Sequence, residues 1–526
     1  MNNENSPKKK HTGLIVSIVL VILLLVVFLL LFLLVFNKDK KSSNNGDNDV
    51  VTKSTEYQSE YTMNGNSLDN FDLYFLKLEN KEENKIYSPL SIKYTLEMLS
   101  EGANGKTKKQ IDGLIGDYLA KKYPNNPNMS FANALFVNEA NKDSIKNSYT
   151  ETLKNKYNAE VIYDSFNSPK TINDWVSNKT FKLINDLLDD VSGKSFVLVN
   201  ALGINMEWKN KIQKVKDEYY VNYPHEEYFL FVDALDGGGY SSLKFNNKDN
   251  IKALRIGASI NKYDIVKDIG EDKIRETVGK EYSEWLKRDE CGTAKSEPDV
   301  NTYLNQYIKD LNKSYKSISS STDFEFYDND EVKIFAKDLK EYDGVTLQYV
   351  GIMPKKDKLD SFITNTNAEK LNSMISNLKE VKYENFEEGY ITKIIASIPV
   401  FKFEYELNLL DDLVHLGIKD VFDPDLADLS RLTDDKSMAI DSATHKANIE
   451  FSNDGIKASA ATTMGGKGAY DCSFDYLYKV PVKEIDLSFD NPYLFLIRDK
   501  NSEEVWFIGT VYEPTVLETN SYYGYY

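Results

Sequence analysis

The sequence predicts an α+β fold carried behind an N-terminal transmembrane helix. Strand patterns fill the second half of the chain, and helical patterns gather beside them instead of alternating with them strand by strand. An uncharged apolar run stands near the N-terminus and a polar stretch follows it. The 526 residues are 41% hydrophobic and 28% charged, a globular balance with room for two or three average domains or one large one with additions.

The first element is the run from Gly13 to Phe36, about 24 residues with no charge. At about 1.5 Å per residue it spans about 36 Å, enough for a bilayer core with some tilt. It is longer than a signal-peptide core and ends in Val-Phe-Asn-Lys, not in the small residues of a cleavage site, which favours an uncleaved anchor. Lys8, Lys9 and Lys10 before it balance Lys38, Lys40 and Lys41 after it, so charge does not orient it. A short tail (1–12) and a large following domain favour a cytoplasmic tail and an extracellular domain, a single-pass plasma-membrane protein. Residues 37–66 are rich in Ser, Asn and Asp and read as a flexible stalk.

The globular part begins near Ser67 and runs to about Pro514. Ser88 and Pro89 read as the N-cap and first position of a helix, with Ile92, Leu96 and Leu99 at helical spacing. "GANGKT" is not a phosphate loop, because only Ala103 and Asn104 separate Gly102 from Gly105. "TINDWVSNKTFKLINDLLDD" reads as one amphipathic helix with a polar middle. "SFVLVNALGINMEW" reads as a buried strand interrupted by Asn200, whose amide must find partners or cost about 1–3 kcal/mol, so it bridges neighbouring elements. From 224 to 322 the pattern changes, and two charged helices are expected in a solvated insertion or a partner-binding module. Strands resume with "KIFAKDL" and continue to "EVWFIGTVYEP", with helices near "NAEKLNSMISNL" and "LLDDLVHLG". A tyrosine-rich tail, 515–526, lies beyond the fold.

A net charge of −18 argues against nucleic acid as a partner. The two cysteines, Cys291 and Cys472, form no CxxC pair, and four histidines leave little room for a metal site or a triad. No GxSxG, HExxH or EF-hand loop is written. The expectation is a protein that is not an enzyme and uses no cofactor or metal.

One stretch combines two patterns. From Ile456 to Met464, Ile456, Ala458, Ala460, Thr462 and Met464 alternate with Lys457, Ser459, Ala461 and Thr463, the period of a half-buried strand. Yet the residues are small, and Gly-Gly-Lys-Gly follows.

Taken in order, these motifs resemble the serpin family. The resemblance rests on 84–111 with its Ser88-Pro-x-Ser91, 172–188, 198–208 with Asn200 and Trp208, 398–430, 445–463 and 491–514. It implies a serpin fold of three β-sheets and eight or nine helices, with a reactive loop exposed at one pole. That loop serves as bait for a serine protease, sometimes a cysteine protease, and enters the main sheet once cut. The resemblance marks Ser88, Ser91, Asn200, Trp208 and His445 as the region where the sheet opens. It makes 453–486 the hinge and loop, with the hinge at Asn453, Asp454, Gly455, Ile456, Lys457, Ala458, Ser459, Ala460, Ala461 and Thr462.

A segment with two addresses needs an inward face of small or apolar side chains, torsional freedom at its hinge and no proline, and 453–466 has all three. Family spacing puts the cut at Ala469-Tyr470, which suits elastase-like or subtilisin-like proteases. Lys467-Gly468 is the rival for a trypsin-like target and Tyr470-Asp471 for a chymotrypsin-like one. Two departures stand out: Asn453 replaces an acidic residue, and Ile456 replaces a Thr or Ser. The far side of the loop is also about 12 residues longer than usual, and Cys472 lies in that extension. The alternative function is a non-inhibitory binding or adhesion protein that uses the insertion as its partner surface.

Overall fold

The computed structural model describes residues 59–78, 81–212, 240–287, 298–311, 314–455, 474, 476 and 481–517. The expected anchor (13–36), the hinge from Ile456 to Thr462, and the candidate bonds at Lys467-Gly468 and Ala469-Tyr470 lie outside them. Among the described residues no helix is long and apolar enough to cross a membrane.

The chain opens with α1 (Asn70–Leu78), β1 (Lys85–Tyr87), α2 (Pro89–Gly102) and α3 (Gly105–Ile115). It continues through β2 (Met129–Asn138), α4 (Asn147–Tyr157), β3 (Glu160–Asp164), α5 (Lys170–Lys179) and β4 (Phe196–Ile204). The sequence predicts one helix over 171–190, but α5 stops at Lys179. Phe181 and Lys182 take φ of 54° and 66°, a left-handed backbone that no α-helix continues through.

Next come β5 (Tyr240–Phe245), β6 (Lys248–Asp264), α6 (Ile265–Ile269), α7 (Glu271–Trp285), α8 (Val300–Leu311) and β7 (Ser314–Ser320). The stretch 224–322 is therefore not all solvated helix. β6 carries Ile251, Leu254, Ile256, Ala258 and Ile260 into the main core. β7 returns along β6 with Asp264 opposite Ser314, so α6 to α8 sit at the tip of a long hairpin. The helix expected over 299–318 accordingly splits into α8 and β7.

The rest is strand-rich: β8 (Glu325–Asp328), β9 (Val332–Asp338), β10 (Leu347–Pro354), α9 (Leu359–Asn365), α10 (Ala368–Ile375), β11 (Lys379–Glu380), β12 (Tyr390–Pro399) and β13 (Phe401–Asn408). Then follow α11 (Leu409–His415), β14 (Thr444–Phe451), β15 (Val482–Asp486), β16 (Tyr493–Asp499) and β17 (Val505–Val511).

A seven-stranded sheet in the order β1-β17-β16-β10-β9-β8-β11 holds the centre. Every residue of β16, β17 and β10 is buried, as their near-continuous apolar runs require. A second sheet runs β15-β12-β6-β5, with β7 on β6. Three sheets are expected, yet the described residues form four. β3-β2-β4 and β13-β14 are separate hydrogen-bonded units, because β4 pairs with β2 alone and β14 with β13 alone. The helix expectation is also exceeded: eleven α-helices occur among the described residues, three of them, α6 to α8, in the hairpin tip.

Candidate functional site

The site is the unpaired space between β4 and β14. α2 lies beneath it, and its first turn touches both edges. Ser88 caps the helix, its Oγ accepting from the Ser91 backbone N–H at 3.1 Å, with Pro89 at the first position. The Ser88 backbone N–H donates to His445 Nε2 on β14 at 2.9 Å. The Ser91 hydroxyl donates to Asn200 Oδ1 on β4. Asn200 passes the bond on, its Nδ2 reaching Asn133 Oδ1 on β2 at 2.8 Å, and Asn133 Nδ2 reaches the Tyr157 carbonyl of α4 at 2.9 Å. A single helix turn thus clasps two half-sheets that make no ladder with each other.

His445 must be neutral at Nε2 to accept that bond. Burial supports this, pushing its imidazole down to about 4. A cavity of about 410 Å³ lies below the gap, lined by Thr95 and Leu99 of α2, Phe196 to Leu202 of β4 and Ala443 to Lys446 leading into β14. Higher up, the buried Asn448 Oδ1 has no partner among the described residues and faces a smaller void of about 20 Å³ shared with Leu202 and Ile204.

The top of the gap is closed by Trp208. Its ring is 2% exposed and packs edge-on to Phe451 and Tyr349, at 5.6 and 6.4 Å between centroids. Its indole N–H donates to the Ser452 carbonyl at 3.0 Å and its backbone N–H to the Asp454 carbonyl at 3.3 Å. The Lys337 ammonium lies 5.7 Å from the ring centre. Ser452 to Gly455 form a tight turn, and Gly455 pairs with Glu207 across the gap. Gly455 has φ of 129°, and a Cβ there would sit 2.4 Å from the Met206 carbonyl, so only glycine fits.

Of the sequence-predicted residues, Ser88, Ser91, Asn200 and His445 meet around the α2 N-terminus, and Trp208 lies at the top against Asp454 and Gly455, with Asn453 in the same turn. The Asn453 backbone N–H donates to the Tyr240 hydroxyl at 3.3 Å, while its side-chain Oδ1 is buried without a partner among the described residues. The hinge residues Ile456, Lys457, Ala458, Ser459, Ala460, Ala461 and Thr462, and the bonds at Lys467-Gly468 and Ala469-Tyr470, fall outside the described residues. Sequence reasoning missed Asn133. Its signal was present, since an Asn inside the apolar run "FANALFV" needs a partner as Asn200 does.

The family model described as Serpin (serine protease inhibitor) matches residues 70–227 and 300–514, more than half of the chain. Serpin B3 of Homo sapiens is 24% identical over 84% of this chain and 97% of its own length. A serpin-like protein of Methanosarcina acetivorans is 23% identical over 86% of this chain and 88% of its own. Among solved structures, the thermophilic serpin tengpin in its native state aligns with a TM-score of 0.54 at 20% identity, over 86% of this chain and 97% of tengpin. Thyroxine-binding globulin in complex with thyroxine aligns with a TM-score of 0.54 at 16% identity, over 85% of this chain and 97% of that one.

Proposed function

The chain belongs to the serpin family, and from that premise we propose that it is a suicide-substrate inhibitor of serine proteases, tethered to the cell surface through residues 13–36. The observation that carries this reading is the gap between β4 and β14: two strand edges without a ladder, a cavity of about 410 Å³ beneath, and a hinge glycine at its mouth.

A protease reads the loop as substrate. Its serine oxygen bonds to the Ala469 carbonyl carbon and the Tyr470 amine leaves. The freed segment from Ile456 then enters the gap as a strand, pairing with both edges. Burying Ile456 and Met464 contributes roughly 1.5–3 kcal/mol each, on top of the new main-chain ladder. Roughly 14 residues at about 3.3 Å carry the attached protease about 46 Å. Its active site is pulled out of register, and a displacement near 1 Å already costs about a hundredfold in rate, so deacylation stops. This chain supplies no catalytic group.

Ala469 favours elastase-like or subtilisin-like targets, with trypsin-like cleavage after Lys467 and chymotrypsin-like cleavage after Tyr470 as the competing choices. A second reading has one observation behind it. Asn453 offers no charge at the hinge and leaves its Oδ1 unpartnered, which suits a non-inhibitory member of the fold. Challenging the protein with elastase-, subtilisin-, trypsin- and chymotrypsin-like proteases separates the two. A covalent complex surviving SDS supports inhibition, and mass spectrometry of the released fragment gives the cut bond. Clean loop cleavage with full recovery of every protease supports the second reading.

A further inference from the structure

The hairpin tip has a small core of its own. Ile274 and Val278 of α7 pack against Leu304 and Ile308 of α8, apart from the main core. Gly279 lets the helices close, since a Cβ there would lie 3.2 Å from Leu304. At one end of this core the aromatic rings continue outward. Tyr282 stacks on Tyr303 at 3.9 Å between centroids, and Trp285 stacks on Tyr282 at 5.7 Å.

Phe474, from the far flank of the reactive loop, occupies this cluster. Its ring lies 5.1 Å from Tyr282, 5.6 Å from Trp285 and 5.6 Å from Tyr303, edge-on to both tyrosines. Two residues on, the Tyr307 hydroxyl donates to the Tyr476 carbonyl. The loop's far flank is therefore held well before Val482, where β15 begins.

We propose that α7 and α8 are a latch on the reactive loop, which holds Phe474 and Tyr476 so that the loop cannot fill the gap until it is cut. This deepens the inhibitor reading and rests on it. Filling the gap to Ala469 takes 14 residues beyond Gly455. In an uncut loop, each residue that enters carries the end about 3.3 Å down the gap and takes at most about 3.5 Å of reach from the chain left outside. With Phe474 held, 19 residues beyond Gly455, no more than about 10 residues can enter even at full extension. If Val482 is the first fixed point, the limit rises to about 14. Measured to Val482, the far flank is thus just long enough for the uncut loop to fill the gap, and the latch takes that reach away. Cutting anywhere between Gly455 and Phe474 removes the limit at once.

The test uses the full-length protein in mild detergent. Wild type, Phe474→Ala and Phe474→Tyr are incubated at a moderately elevated temperature. Each is then scored for a heat-resistant form whose chain is intact by mass spectrometry. Phe474→Ala, which loses three ring contacts, converts at least about tenfold faster than wild type; Phe474→Tyr, which keeps the ring, stays near wild type. Equal conversion rates for Phe474→Ala and wild type overturn the latch. A parallel sample of wild type is cut in the loop and melted. If cutting leaves its melting temperature unchanged, loop insertion itself fails and the latch with it. If cutting raises the melting temperature while Phe474→Ala behaves as wild type, only the latch fails.

Discussion

His445 holds its place only as a neutral ring. Burial keeps its imidazole at about 4, below the 6.5 of an unperturbed histidine. As pH falls below about 6.5 the unfolded chain takes up a proton that the folded chain refuses, so this contribution is complete above about 6.5 and is lost towards 4. A shift of this size corresponds to a loss of at most about 3 kcal/mol. Protonated Nε2 can no longer accept from Ser88. Asp72 works in the opposite sense: burial raises its carboxyl despite the Lys93 ammonium 2.5 Å away. The His445 contribution is therefore read as a difference. Urea unfolding at pH 7 and pH 4.5 should show a steeper acid loss for wild type than for His445→Gln; parallel losses contradict it. Ile456→Arg tests the next residue of the hinge. An inward guanidinium would be buried unpaired, so this variant should be cleaved as a substrate with protease released, where wild type traps it. Retained stoichiometric inhibition counts against insertion.

Among the elements, the clasp from α2 is the part most open to a single substitution. Asn200→Ala leaves the Ser91 hydroxyl and Asn133 without their partner inside the fold, a cost of about 1–3 kcal/mol. It also frees β4 from β14, so the variant should lose melting temperature and insert its loop uncut more readily; an unchanged melting curve contradicts the clasp. The parts of this region that were legible in sequence are local ones. Ser88-Pro89 is a cap written in two residues, and Asn200 in an apolar run announces a partner without naming it. The strands β16 and β17 read directly from their apolar runs. What did not read is set by distant contacts. β6 lies among charged helical patterns, and its burial depends on β12, over a hundred residues on. α5 ends where Phe181 and Lys182 turn left-handed, inside a pattern that still looks helical. The split of the main sheet is invisible to local pattern, because β4 and β14 each look like a complete strand. Phe474 looks like any exposed aromatic until α7 and α8 are seen around it.

At the scale of the whole molecule, the fold stores an unmade ladder. The seven-stranded sheet is buried along β10, β16 and β17, while the two half-sheets make no ladder with each other among the described residues and are tied by the α2 turn, by Lys194 to Asp441 at 2.8 Å and by the Trp208 contacts above. A segment of small alternating residues is tied by glycine to the mouth of that space. On this account cleavage converts the loop from a tether into a central strand, and stability should rise with no other change in sequence. Thermal melting of the protein before and after a single cut in the loop tests this most directly. The cut form should melt at least about 10 °C higher; at about 1 °C per kcal/mol for a chain of this size, that asks about 10 kcal/mol of the new burial and the two-edged ladder together. A cut protein that melts at the same temperature as the intact one would contradict it.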